Sequence, residues 1–143
     1  MLISKSVIDE IYGTIGTVEK ESGGLIGSTD KSDIIDAYYF DKGRRSNANE
    51  YVPDIDDLQQ RLSVWDKANI TFRGIIHSHT IGDRLSPLDI QMARKIMDAN
   101  MLPSILMPVY LIREKRIVCY EVSDDSELCI DFKTVAKGVI YEE

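Results

Sequence analysis

His77 and His79 are the only histidines in this chain of 143 residues. They stand one residue apart in the stretch GIIHSHTIGDRLSPLD, Gly74 to Asp89. The apolar run before them reads as a strand. Residues two apart in a strand share a face, so His77 and His79 project together and Ser78 projects to the other side. Two imidazoles on one face can converge on one ion. Zinc favours imidazole, and a catalytic zinc keeps three protein ligands plus a water. Asp89, in the first turn of the following helix, is the candidate third ligand, and Asp83 in the intervening loop is its competitor. The same residues have a purely structural explanation. Ser86 suits an N-cap, Pro87 suits the first helical position, and Asp89 three residues on completes a capping box. An HxH pair alone is weak evidence for a metal.

A second stretch bears on the first. In EKESGGLIGS, Glu21 stands just before Gly23, Gly24 and a short apolar strand. A carboxylate at the head of a strand can project into a site at the sheet edge. Taken alone, Glu21 reads as a surface residue.

Together these fragments resemble the JAMM family, also called the JAB/MPN or Mov34 metallopeptidases. Glu21 with Gly24-Leu25-Ile26-Gly27 is similar to the first part of the family motif. His77-Ser78-His79 and Ser86-Pro87-Leu88-Asp89 are similar to the rest, in the same order, over roughly residues 1–120. The resemblance implies one JAB/MPN domain over residues 1–143, with a cytidine-deaminase-like architecture. It implies Zn2+ held by His77, His79 and Asp89, with Glu21 as general base and Ser86 as oxyanion donor. The implied substrate is a peptide or isopeptide bond, at the C-terminus of a ubiquitin-like or sulfur-carrier protein. The chain departs from the family in two places. The spacer from Thr80 to Leu85 is one residue shorter than usual, and Thr80 stands where proline is common. The shortened spacer supplies the alternative expectation, a catalytically silent scaffold that binds protein partners. A zinc nucleobase deaminase would need a PCxxC motif, and the common helical zinc proteases need HExxH; the chain has neither.

The site needs elements to carry it. Ile3, Val7, Ile8, Ile11, Ile15 and Val18 fall near helical spacing, with Ser4 or Ser6 as cap. GGLIGS and DIIDAYYFD read as two strands around the turn TDKSD, and KGRRSNANEYV reads as a loop. Pro53 opens a second helix whose stripe is Ile55, Leu58, Leu62 and Trp65. ITFRGIIHSH is a strand. SPLDIQMARKIMDANM is a third helix with Leu88, Met92, Ile96 and Met97 inward. SILMPVYLIRE pairs with RIVCYEV through a turn at Lys115, and ELCIDFKTV is a last strand or a strand–helix junction. Interleaved helices and strands give an α/β class, a mixed β-sheet flanked by helices.

Composition narrows the partners. The net charge of −7 argues against nucleic acid, which needs a concentrated basic surface. The one small basic cluster, Lys42, Arg44 and Arg45, is flanked by Asp41 and Glu50 and reads as a solvated loop. No apolar run approaches the roughly 20 residues that span a bilayer, and the N-terminus lacks the pattern of a signal peptide. The expectation is a soluble, cytoplasmic protein with no membrane partner. Cys119 and Cys129 lack CxxC spacing and read as buried free thiols.

Overall fold

The computed structural model describes residues 1–43 and 51–136, and the backbone of 139–142. The elements run β1 (Leu2–Ser4), α1 (Lys5–Gly13), a 3-10 turn (Ile15–Thr17), β2 (Gly23–Thr29), β3 (Ile34–Ile35), β4 (Ala37–Asp41) and α2 (Ile55–Lys67). Then follow β5 (Ile70–His79), α3 (Pro87–Asn100), β6 (Ser104–Leu111), β7 (Arg116–Ser123), β8 (Glu127–Ile130), β9 (Lys133–Ala136) and β10 (Val139–Glu142). Six strands form the main sheet in the order β4-β2-β5-β6-β7-β8, and a smaller sheet has the order β10-β9-β1-β3. The main sheet is mixed. β5 runs parallel to β6, and the other pairs are antiparallel. This is the expected α/β class with helices against a mixed sheet.

The alternation of side chains explains the layers. Ile26, Ile76 and Leu106 point to one face, where Val7, Ile8 and Ile11 of α1 cover them. Their neighbours Leu25 and Ile75 point to the other face, under Leu58 and Trp65 of α2. Ile105 and Met107 share that second face with Ala93 and Met97 of α3. The middle strands are therefore buried on both sides, which is why β6 reads as an almost continuous apolar run. His77 and His79 follow Ile75 at steps of two, so parity places them on the face that carries α2 and α3.

Several local expectations are corrected. Ile3 belongs to β1 rather than to the first helix, because β1 pairs in parallel with both β3 and β9. Ser4 is the cap; its Oγ accepts from Val7 N at 3.2 Å. The helix ends at Gly13, and Ile15 continues the buried stripe from a 3-10 turn. DIIDAYYFD is two strands, not one: β3 joins the small sheet through β1, and β4 pairs with β2. α2 starts at Ile55 with Asp54 as its cap, so Pro53 lies outside it. Ile55 is 55% exposed and Leu88 is 68% exposed. Each sits in the first turn of its helix, clear of the sheet. ELCIDFKTV forms two strands, β8 and β9, in different sheets. Cys129 is exposed and only Cys119 is buried. Asp41 is buried rather than part of a solvated run, while Lys42 is exposed. Arg44, Arg45 and Glu50 lie outside the described residues. The hairpin of β6 and β7 turns at Lys115 as expected, with Lys115 in a left-handed conformation. Among the described residues no helix is long and apolar enough to cross a membrane.

Candidate metal centre

Three elements bring the chemistry together. β5 ends at His79, so both imidazoles leave the sheet at its rim, where the chain departs for α3. Asp89 is the third residue of α3. His77 Nε2 lies 2.9 Å from His79 Nε2. Asp89 Oδ2 lies 3.2 Å from His77 Nε2 and 3.1 Å from His79 Nε2. Among the described residues this is the group of histidine, cysteine and carboxylate side chains that could hold a metal ion. Asp83 is not in it; its backbone carbonyl instead accepts the Tyr120 hydroxyl at 2.6 Å.

The capping box and the convergence of ligands are not rival explanations. Ser86 N donates to Asp89 Oδ2 at 2.8 Å, and Asp89 N donates to Ser86 Oγ at 3.1 Å. The oxygen that closes the cap is the one that faces both imidazoles. The cap therefore aims the carboxylate, and it does so across the shortened spacer.

The donor set fits a cation. Three mutually close atoms make three contacts, but each imidazole Nε2 carries at most one proton. Two protons cannot satisfy three edges, and two N–H groups would face each other across the 2.9 Å edge. A tetrahedral ion with bonds of about 2.0–2.2 Å would hold its ligand atoms about 3.3–3.6 Å apart, a few tenths of an ångström beyond the 2.9, 3.1 and 3.2 Å separations present here. The charges agree. Burial alone would push the Asp89 carboxyl up, but the hydrogen bonds from His77 and His79 outweigh it and hold the group well below the usual carboxylate range. The Asp89 hydrogen bond pulls the His79 pKa upward, burial opposes it, and the charge of Glu21 adds to the rise. Both directions follow from the His–Asp contacts and keep Asp89 an anion facing the two imidazoles.

Glu21 reaches this site by the same parity argument. Ser78 N donates to Ser22 O at 2.9 Å, which extends the β2–β5 ladder one step past Gly23. Ser78 Oγ accepts from Ser22 N at 2.9 Å on the far face. Glu21 is then turned toward the histidines. Its Oε2 accepts from Thr80 N at 2.9 Å and from Thr80 Oγ1 at 3.3 Å. A proline at position 80 would lack that backbone donor, so this departure from the family pattern acquires a structural role. Glu21, His77, His79, Ser86 and Asp89 all line one cleft of about 500 Å³. A larger cleft of about 800 Å³, beside Trp65 and Asn69, lies at the opposite end of β5 and contains no such cluster.

The remaining walls of the site cleft were not legible locally. Tyr51, Val52 and Pro53 line one side, and Ile81, Arg84, Leu88 and Met92 line the rest. Tyr51 is held from behind. Its hydroxyl donates to Asp41 Oδ2 at 2.7 Å, and Asp41 also accepts from Gly43 N and Asp54 N at 2.9 and 3.2 Å. Burial and then the charge of Asp41 push the Tyr51 phenol well above its ordinary value. The ring lies against Gly23; a Cβ there would come within 2.6 Å of Tyr51 Cε2. The adjacent pair Gly23-Gly24 was the local hint that a neighbour approaches the backbone closely.

No family model matches the sequence, and no curated protein matches it. Solved structures do. A protein from Desulfitobacterium hafniense is 15% identical with a TM-score of 0.73, over 95% of this chain and 93% of that one. A protein from Salinibacter ruber is 18% identical with a TM-score of 0.61, over 100% and 97%. A JAB1/MPN domain protein from Archaeoglobus fulgidus is 15% identical with a TM-score of 0.57, over 95% and 100%. At these identities the likeness speaks for the fold, and the fold of this chain is MPN-like.

Proposed function

We propose that the chain is a single-domain, cytoplasmic, zinc-dependent peptidase or isopeptidase of the JAMM type. The observation that carries the reading is the approach of His77 Nε2, His79 Nε2 and Asp89 Oδ2 to within 3.2 Å of one another, in a cleft that also holds Glu21. Zinc held by these three would lower the pKa of a bound water to about 7 and polarise the scissile carbonyl. Glu21, fixed by Thr80, takes a proton from the attacking water. The hydroxyl adds to the acyl carbon, the C–N bond breaks, and Glu21 returns the proton to the leaving amine. Ser86 Oγ accepts from Asp89 N, which occupies a lone pair and leaves its proton to donate to the carbonyl oxygen as charge develops there. The substrate is a protein or peptide tail, that of a ubiquitin-like or sulfur-carrier protein.

A silent scaffold is the reading that the short spacer would favour. The retained capping box, with Asp89 3.1 Å from His79, supports the enzyme instead. The test is Glu21→Gln. The variant should fold and bind zinc as the wild type does, while hydrolysis of a ubiquitin-like tail fusion falls about 10²–10⁴-fold, the usual worth of a general base. Cleavage at the wild-type rate would overturn the assignment.

A further inference from the structure

Arg84 is the cation of the site cleft. Among the residues that line that cleft it is the sole lysine or arginine. It is exposed, and among the described residues it makes no ion pair. Both carboxylates of the cleft are engaged elsewhere: Glu21 by Thr80, and Asp89 by the two histidines and the cap. An unpaired guanidinium beside a reactive centre stands out in a chain of net charge −7. Its planar fork suits a carboxylate, which it can bind with two parallel hydrogen bonds. The apolar walls suit an extended peptide, since Ile81 is 77% exposed and Leu88 68% exposed. The volume, about 500 Å³, is that of a small-ligand site, enough for a few residues of a peptide.

We propose that Arg84 binds the free α-carboxylate of the substrate, so that the protein cleaves a peptide bond close to a C-terminus. This inference rests on the hydrolase reading above and narrows its substrate to tails that end within the cleft. The bond chemistry is unchanged: the leaving amine belongs to a short C-terminal piece whose carboxylate Arg84 anchors.

The experiment separates binding from turnover. Zinc-loaded Glu21→Gln protein is titrated calorimetrically with N-acetyl-Leu-Gly-Gly-Ala as the free acid and as the carboxamide. The free acid should bind about tenfold tighter, the worth of a charge-assisted pair at a partly exposed site. The difference should shrink in 0.5 M salt. Adding Arg84→Gln should remove the preference, and Arg84→Lys should keep part of it. Equal binding of acid and amide, or a preference that survives Arg84→Gln, would overturn the proposal. So would an amide peptide with an internal aspartate that binds as tightly as the free acid, because it would assign Arg84 to an acidic side chain. If the acid preference depends on Arg84 but the wild-type protein hydrolyses neither peptide nor tail fusions, the hydrolase reading fails while the carboxylate site stands.

Discussion

Each site side chain does more than one job. Asp89 Oδ2 closes a helix cap and faces two imidazoles. Thr80 supplies a backbone donor to Glu21 that a proline could not. If the histidines hold the metal, His77→Ala combined with His79→Ala should yield protein with less than a tenth of the zinc of the wild type by elemental analysis. One zinc per chain in that variant would refute the ligand set. The cysteines give an independent check at the same scale. Burial pushes the Cys119 thiol up to about 12, and Cys129 is exposed on the outermost strand. Reactivity follows the thiolate and its access. Native protein should therefore release one equivalent with a thiol-disulfide reagent within minutes, and two in denaturant. Cys129→Ser should abolish the native reaction.

At the scale of elements, the N-terminus of α3 joins stability to chemistry. Ser86 caps the helix and orients Asp89. Replacing a serine cap by alanine costs about 1 kcal/mol, whereas glycine costs only a few tenths. Ser86→Gly should thus unfold at nearly the wild-type urea midpoint, and Ser86→Ala at a lower one. If the hydroxyl also stabilises developing charge, both variants should lose catalytic rate by a similar factor, about tenfold or more. A Ser86→Gly protein with full activity would leave Ser86 as a cap alone. This helix start was readable from SPLD. The start of α2 was read two residues early, at Pro53. Asp54 is the cap, its side chain accepting from Asp57 N at 3.3 Å, and the proline lies just outside. Proline and a good cap residue side by side are locally compatible with either register.

The whole molecule decides how close β5 comes to β6. Gly74 pairs with Leu106 in the parallel part of the sheet, and a Cβ on Gly74 would run into the Leu106 backbone carbonyl. Backbone cannot swing aside as a side chain can. Gly74→Ala should cost about 1–3 kcal/mol in urea unfolding, as overpacking does. It should also weaken zinc binding, because the strand that shifts ends in both histidines. An unchanged midpoint would show that β5 and β6 have slack here.

What the sequence determined by itself is what short-range geometry can encode. The period of two in a strand placed His77 and His79 on one face. The spacing of Ser86 and Asp89 made a cap, and the runs in β5, β6 and β7 marked buried strands. The tertiary structure decided what depends on distant partners. β1 left the first helix to pair with β3 and β9. DIIDAYYFD divided between two sheets. Asp41 was drawn inside to hold Tyr51, and Arg84 was left in the cleft with no ion-pair partner among the described residues. The physical reason is that periodicity specifies which face a residue shows. Which surface meets that face is set by burial and hydrogen bonding between segments far apart in the chain.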